Sequence, residues 1–199
     1  MSDPETLAAY NSRTREYAEL TAEATDDRAL LRFIDRLPVG GTVLDLGCGP
    51  GAAAATLHAK GFAVDPVDAS ARMIELANST YAIDARQASF DDLDGIEVYD
   101  GVWANFSLLH AAPEALPGHL RAIARALKSE GLFHIGMKLG EGTRRDSLGR
   151  MYAYYSQDNL LAHLLRAGFE NVEIDTGEAR GLEGDVEPWI TVLSIRANA

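Results

Sequence analysis

Apolar residues at the start of the chain recur at helical spacing. The first 37 residues predict two helices, each with one apolar face. These faces comprise Leu7, Tyr10, Thr14 and Tyr17 in the first helix, and Leu30, Phe33, Ile34 and Leu37 in the second. Asp26 precedes the second helix and can cap it, whereas Pro38 with Gly40 and Gly41 ends this portion.

From residue 42 onward, apolar strand-like runs alternate with amphipathic helical runs. The pattern predicts strands over residues 42–46, 62–68, 82–89, 99–105 and 132–137, and helices over 52–60, 70–79 and 116–127. Strands that alternate with helices are joined by right-handed crossovers, so these strands lie parallel with helices on both faces of the sheet.

The last third of the chain has a different pattern. Residues 138–155 show no clean periodicity and are expected to form an insertion, after which Ser156 caps a helix that ends at Gly168. Two strands follow, over 169–176 and 188–197, and they should pair antiparallel because no helix separates them. The predicted fold class is α/β: a doubly wound, Rossmann-like sheet of seven mostly parallel strands, with the last strand antiparallel and helices on both faces.

Composition narrows the class of protein. A chain of 199 residues with 47% hydrophobic residues can bury one core, so we expect a single domain over residues 1–199. Lysine and arginine number 18 against 30 acidic residues, for a net charge of −12, which argues against a nucleic-acid partner.

Cysteine and histidine usage adds further exclusions. Cys48 is the single cysteine and cannot form an intramolecular disulfide, and the five histidines lack metal-ligand spacing, so no metal site is expected. The N-terminus does not resemble a signal peptide, and no apolar run approaches the roughly 20 residues that a membrane span needs. We therefore expect a cytoplasmic protein without a membrane partner. No pattern indicates an oligomeric state.

The stretch VLDLGCGPG, residues 43–51, is a strand that runs into a glycine-rich turn. Gly47, Gly49 and Ala52 fit the G-x-G-x-x-A fingerprint of dinucleotide-binding turns, and Asp68 follows Gly47 by 21 residues, near the spacing of a ribose-binding acid. Such a turn can hold either a diphosphate or the cationic sulfonium of an adenosyl ligand, and both place a ribose beside Asp68.

Three features favour the cationic ligand. Asp45 places a negative charge at the end of the strand, where it would repel a pyrophosphate and attract a sulfonium or ammonium group. Pro50 lacks the backbone N–H that a phosphate cradle uses. We also expect no second domain that could carry a hydride acceptor.

Several segments, in order and spacing, resemble class I S-adenosylmethionine-dependent methyltransferases. They are VLDLGCGPG (43–51), VDASARMIELA (67–77), ASFDDL (88–93), YDGVWANFSLLH (99–110) and ALKSEGLFHI (126–135). The chain departs from the family pattern at Ser89, where aspartate is common, and at Phe90, where alanine is common.

The resemblance implies S-adenosylmethionine (SAM) as cofactor. Asp68 would bind the ribose hydroxyls, Met73 would pack on adenine, and Cys48 would contribute only its backbone. The residues implied in cofactor binding are Tyr17, Asp45, Gly47, Cys48, Gly49, Gly51, Asp68, Ala69, Met73, Ser89, Phe90, Asn105 and Phe106. The helices of residues 1–37 would act as a lid, because similar methyltransferases place a tyrosine of such a helix over the cofactor.

Residues 138–155 hold basic side chains in an otherwise acidic protein. Lys138, Arg144, Arg145 and Arg150, with Tyr152, form a candidate substrate-binding clamp for an anionic group, and a solvated loop with local salt bridges is an equal alternative. His110 is a weak candidate for a catalytic base. A packing role for His110 is favoured, because the sequence shows no partner that would orient it.

The function that these features predict is methyl transfer from SAM to a small-molecule, anionic acceptor. Two alternatives stay open. One is a SAM-binding sensor or partner module without catalysis, and the other is an NAD-dependent oxidoreductase.

Overall fold

A computed structural model describes residues 3–22, 28–181 and 184–198. The strands are β1 (Thr42–Leu46), β2 (Ala63–Asp68), β3 (Arg86–Gln87), β4 (Tyr99–Asn105), β5 (Leu127–Lys138), β6 (Thr143–Arg145), β7 (Met151–Ala153), β8 (Phe169–Arg180) and β9 (Val186–Arg196). The helices are α1 (Pro4–Ser12), α2 (Thr14–Ala22), α3 (Arg28–Arg36), α4 (Ala52–Ala59), α5 (Ala71–Tyr81), α6 (Leu116–Ala126) and α7 (Gln157–Arg166).

Seven strands form one sheet in the order β3-β2-β1-β4-β5-β9-β8. Strands β1 to β5 pair parallel, and β9 pairs antiparallel with both β5 and β8. The predicted fold class, including the antiparallel last strand, is confirmed. Strands β2 and β3 are added on one side of β1, and β4 and β5 are added on its other side, so the strand order reverses at β1. In open α/β sheets a ligand binds at such a point, here between the carboxyl ends of β1 and β4.

The core lies on both faces of the sheet. On one face α6 and α7 pack against β4 and β5 through side chains such as Ile123, Phe133 and Phe169. On the other face α3 and α4 contribute Phe33 and Leu57. Strands that are buried on both faces have nearly continuous apolar sequences. For this reason β1 and β4 could be predicted from their apolar runs.

The N-terminal region departs from the prediction of two helices. The first predicted helix is interrupted at Arg13, whose φ of −124° and ψ of 24° lie outside the helical region, so α1 and α2 are separate. The apolar face of α3 is buried as predicted. The predicted cap Asp26 lies outside the described residues.

Other boundaries also shift. The third strand covers only Arg86–Gln87 instead of 82–89, because Ala82 and Asp84 have positive φ values that an extended strand does not allow. Strand β5 begins at Leu127 rather than 132, and β8 and β9 are longer than predicted.

Residues 138–155 contain a hairpin that the sequence did not predict. Strands β6 and β7 pair antiparallel, and the turn between them is built around Asp146. The Asp146 carboxylate accepts hydrogen bonds from the backbone of Leu148 (3.1 Å) and Arg150 (2.8 Å), and it forms a buried ion pair with the Arg150 guanidinium at 2.6 Å. This turn fixes the connection between β6 and β7.

The helices of the described ranges include none that is long and apolar enough to cross a membrane. In the same part of the chain, no cluster of three or more His, Cys, Asp or Glu side chains could hold a metal ion.

Candidate functional site

A cleft opens where the carboxyl ends of β1, β2 and β4 meet. We call it the first cleft. The predicted cofactor residues that line it are Tyr17, Gly47, Gly49, Asp68, Ala69, Met73, Phe90, Asn105 and Phe106.

The glycines of the turn after β1 all have positive φ: 83° at Gly47, 52° at Gly49 and 89° at Gly51. A Cβ on Gly47 would lie 2.3 Å from Cβ of Ser107, and one on Gly51 would lie 2.7 Å from the Ile83 side chain. Gly49 has more space, since its nearest neighbour would be the Tyr17 ring at 3.7 Å. Two glycines therefore allow close packing, and Gly49 faces the cleft.

The backbone N–H groups of this turn are already used within the protein. Gly47 and Cys48 both donate to the Val67 carbonyl, at 2.8 and 2.9 Å, and Gly51 donates to Cys48. Gly49 donates to Asp68 Oδ2 at 3.0 Å, and Pro50 has no N–H. A diphosphate cradle depends on free N–H groups, so the turn is unsuited to a diphosphate.

Asp45 lies behind the turn as a buried carboxylate, 2% exposed. Its Oδ2 has no hydrogen-bond partner within the described part of the chain. Burial, with a further contribution from the negative charge of Asp68, raises the pKa of Asp45 to about 7. A buried acceptor without a partner is costly, and a nearby cationic group would compensate for it. The residues present therefore fit a cationic ligand.

Asp68 is positioned by two backbone groups. Its Oδ1 accepts from Ser70 N at 2.8 Å and its Oδ2 accepts from Gly49 N. Burial raises the pKa of Asp68, and these hydrogen bonds oppose that shift. Each carboxylate oxygen keeps a second lone pair, so Asp68 can still accept hydrogen bonds from hydroxyl groups in the cleft.

Four predicted cofactor residues do not line the cleft. Asp45 lies behind the turn, and Cys48 and Gly51 belong to the turn without lining the cleft. Burial raises the pKa of the Cys48 thiol. Ser89 is part of a capping box, in which its N and Oγ both donate to Asp92 Oδ2 at 2.8 Å. Ala88 and Phe90 line the cleft on either side of it.

The end of β4 holds Asn105 and Phe106 in a constrained turn. Phe106 has a φ of 53°, which is uncommon for a residue with a bulky side chain. Asn105 Oδ1 accepts a hydrogen bond from Nε2 of the buried His134 at 3.0 Å. A Cβ on Gly136 would lie 2.5 Å from that oxygen, so the neighbouring strand must carry glycine there. The Asn105 amide is therefore fixed at the cleft wall.

Helix α1 covers the cleft with Tyr10, which packs edge-to-face on Tyr17 at 5.2 Å between ring centroids. His110 Nδ1 lies 2.7 Å from the Met151 carbonyl, and its Nε2 lies 2.7 Å from the Tyr10 hydroxyl. A carbonyl only accepts, so Nδ1 carries the proton and Nε2 accepts from Tyr10. Burial, helped by the positive charge of Arg150, lowers the pKa of His110 to about 4, which keeps the ring neutral.

His110 thus has the orienting partners that the sequence did not reveal. It holds the Tyr10 hydroxyl in place, and it also lines the first cleft.

A second cleft adjoins the first. The two clefts share Tyr10, Tyr17, Phe106 and His110 as a common wall. The other side chains that the second cleft presents include Lys138, Arg150, Tyr152, Arg180, Glu187 and Trp189.

The predicted substrate residues separate into two groups. Lys138, Arg150 and Tyr152 line the second cleft. Arg144 lies outside it and pairs with Glu187 at 2.5 Å, and Arg145 pairs with Asp3 of the N-terminal segment. The structure therefore does not bring the four basic side chains together as one clamp.

Hydrogen bonds and an ion pair hold helix α1 in place on both sides of the site. Arg145 forms two hydrogen bonds with the Asp3 carboxylate, at 2.8 and 2.9 Å, and Thr6 Oγ1 accepts from Met151 N at 2.8 Å. On the opposite side, Asn11 Oδ1 accepts from Ser70 Oγ at 2.7 Å. Sequence reasoning missed Asp3, although Asp followed by Pro4 is a typical helix start.

The fold corresponds to that of known proteins. Residues 43–131 match the family model described as a methyltransferase domain. A Staphylococcus carnosus (strain TM300) protein described as an uncharacterized methyltransferase is 25% identical over 130 residues, which make up 64% of this chain and 60% of that relative. The match thus spans less than two thirds of the relative's length.

Two solved structures share the fold. One is a SAM-dependent methyltransferase from Methanosarcina mazei, with a TM-score of 0.74, 16% identity, and coverage of 83% of this chain and 96% of that one. The other is the Burkholderia thailandensis 1,6-didemethyltoxoflavin-N1-methyltransferase, solved with 1,6-didemethyltoxoflavin and S-adenosylhomocysteine. It has a TM-score of 0.70, 23% identity, and coverage of 100% and 92%.

Residues 43–131 thus match a methyltransferase domain, and the chain has the fold of solved SAM-dependent methyltransferases. The similarity to these proteins indicates SAM as the cofactor.

The fastening of α1 leads to a testable expectation. Replacing Arg145 by methionine removes the ion pair with Asp3, which is one of the contacts that hold α1 in place. We expect the amides of α1 to exchange hydrogen roughly fivefold faster, with little change in β4 or β5, because only local opening is affected. Arg144→Met is the matched control and should leave exchange in α1 unchanged. Equal exchange in the two variants would contradict the assignment.

Proposed function

We propose that this protein transfers a methyl group from SAM, bound in the first cleft, to a small-molecule, anionic acceptor bound in the second. The observation that carries the proposal is the common wall of Tyr10, Tyr17, Phe106 and His110. A donor and an acceptor bound on the two sides of these four side chains would be neighbours, and an in-line displacement requires that these side chains move so that the two can meet.

Side chains of the first cleft have the chemistry to hold each part of SAM. Asp68 accepts hydrogen bonds from the ribose hydroxyls, and the buried Met73 provides an apolar surface for adenine. Asp45 balances the positive charge of the methionine end, and Asn105 offers its amide to the same end. SAM supplies a methyl group that its sulfonium has already activated.

The protein itself aligns the donor with the acceptor, excludes water and provides negative charges that favour the cationic reactant. Helix α1 acts as a lid that lies over both clefts and is tied at Asp3, Thr6 and Asn11. The negative charges of Asp45 and Asp68 favour a cationic reactant over a neutral product, so they also favour product release. We assign residues 1–37 to the lid and 138–155 to an acceptor-side insertion.

An anionic acceptor agrees with the charges of the second cleft. Lys138, Arg150 and Arg180 line it against Glu187, so the wall has two more positive than negative charges in a chain with a net charge of −12. The Burkholderia thailandensis structure, which contains bound 1,6-didemethyltoxoflavin and S-adenosylhomocysteine, supports an acceptor of small size.

The pKa of Asp45 predicts how SAM binding depends on pH. Without ligand the carboxyl is half protonated near pH 7, and a cationic ligand favours its ionised form. Below pH 7, SAM binding must therefore displace a proton, so we expect a Kd about tenfold higher at pH 6 than at pH 8. Isothermal titration calorimetry would measure it.

Asp45→Asn should flatten this pH dependence, because no carboxyl remains to titrate. Asp94→Asn, which changes an exposed acid, should keep the wild-type profile. If the Asp45→Asn protein kept the full pH dependence, another group would be responsible.

Turnover tests the proposed function itself. Purified protein with methyl-labelled SAM and a panel of acidic metabolites should release S-adenosylhomocysteine and label at least one acceptor. Under the same conditions Asp68→Asn, which weakens the hydrogen-bond acceptor for the ribose, should reduce kcat/KM at least tenfold. SAM binding without label transfer to any acceptor would instead favour the sensor or partner module.

A further inference from the structure

The walls of the second cleft are largely aromatic. Tyr10, Tyr17 and Phe106 come from the common wall, and Tyr152 and Trp189 are added on the acceptor side. Aromatic faces pack best on flat ligands, because stacked and edge-to-face contacts both need a planar partner. The shape of the wall therefore carries information about the acceptor beyond its charge.

The indole of Trp189 lies against the backbone of β8. Trp189 pairs with Gly177 across β8 and β9, and a Cβ on Gly177 would lie 2.5 Å from an indole ring carbon. On the other side, Trp189 pairs with Lys138 across β5 and β9. The absence of a side chain at Gly177 thus lets the indole lie close to the sheet, next to a positive charge.

Tyr152 has cations beside its ring. Lys138 Nζ lies 3.8 Å from the Tyr152 ring centroid, and Arg150 Cζ lies 5.2 Å from it. Lys138 also pairs with Glu187, and Arg150 pairs with the buried Asp146. These contacts hold both cations in fixed positions at the edge of an aromatic cleft, where a planar anion could contact a ring and a charge together.

Among the described residues that line the cleft, no side chain is suited to take a proton from the acceptor. His110 is neutral, its Nε2 already accepts a hydrogen bond from Tyr10, and the nearby charges of Arg150 and Lys138 disfavour its protonation. Glu187 accepts hydrogen bonds from Lys138, Arg144 and Tyr154. An acceptor that already carries its negative charge needs no such base.

We propose that the second cleft binds a planar, conjugated acceptor as its anion, with the ring against Trp189 and Tyr152 and the negative charge beside Lys138 and Arg150. The inference rests on the proposed function and specifies its acceptor class. The methyl-accepting atom is an oxygen or nitrogen of the ionised group.

The chemistry of this step balances without a proton transfer. A lone pair of the anionic oxygen or nitrogen forms the new bond to the methyl carbon. The S–C bond breaks with its electron pair staying on sulfur, so the cationic sulfonium becomes a neutral thioether. One negative and one positive charge are lost together, and His110 remains neutral throughout.

Three small ligands distinguish the effect of planarity on binding from the effect of charge. Benzoate is planar and anionic, cyclohexanecarboxylate is anionic but not planar, and benzamide is planar but neutral. In titrations followed by ligand NMR with protein saturated with S-adenosylhomocysteine, benzoate should bind at least fivefold more tightly than either of the others. Comparable binding of all three, or binding of none, would overturn the inference.

Variants of Trp189 and Lys138 test which residue causes each binding preference. Trp189→Leu should remove the preference for benzoate over cyclohexanecarboxylate, and Lys138→Met should remove the preference over benzamide. Gly177→Ala, which displaces the indole without changing a charge, provides a second route to the first result if Trp189→Leu does not fold. Arg121→Met changes an exposed arginine on α6 and should retain both preferences.

Binding of S-adenosylhomocysteine alone, measured first, separates this inference from the proposed function. If the product does not bind, the proposed function fails and this inference fails with it. If the product binds and the probes show no preference, only the acceptor class is wrong.

Discussion

The rest of the site depends on one constraint: the backbone N–H groups after β1 already donate hydrogen bonds within the protein. Gly47, Cys48 and Gly49 donate to β2 or its terminal acid, so the turn presents no amide cradle to an anion. Asp45 behind it adds a buried carboxylate oxygen without a hydrogen-bond partner in the described structure. A turn with the outline of a phosphate-binding motif is therefore built for a cation.

The second element of the account is the position of α1. The helix is short, and isolated helices of this length are marginal in water, so tertiary contacts must hold it in place. Those contacts come from the cofactor side at Ser70 and from the hairpin side at Arg145 and Met151. Any motion of α1 therefore changes the first and second clefts together.

Much of the fold could be predicted because it depends on local patterns. Buried parallel strands such as β1 and β4 have continuous apolar runs, and α7 has Ser156 at its start and Gly168 past its end. The break at Arg13 could not be predicted, since the apolar spacing continues through it. The family motifs also led to the residues of the first cleft, because these residues lie close together in sequence around β1, β2 and β4.

The second cleft was harder to predict for physical reasons. Arg144 and Arg145 are neighbours in sequence, but successive residues of strand β6 point to opposite faces, so they reach Glu187 and Asp3 in different directions. Trp189 and Glu187 enter the cleft from β9, far along the chain from Lys138. Such pairings across the sheet leave no periodic signal in a single sequence.

The measurement that tests the account most directly is calorimetric titration of the purified protein with SAM and, separately, with NAD. The arrangement of Asp45 and the turn after β1 predicts saturable one-to-one binding of SAM and no detectable binding of NAD. Tight NAD binding together with no SAM binding would contradict the account, because it would mean that the turn accommodates a diphosphate after all.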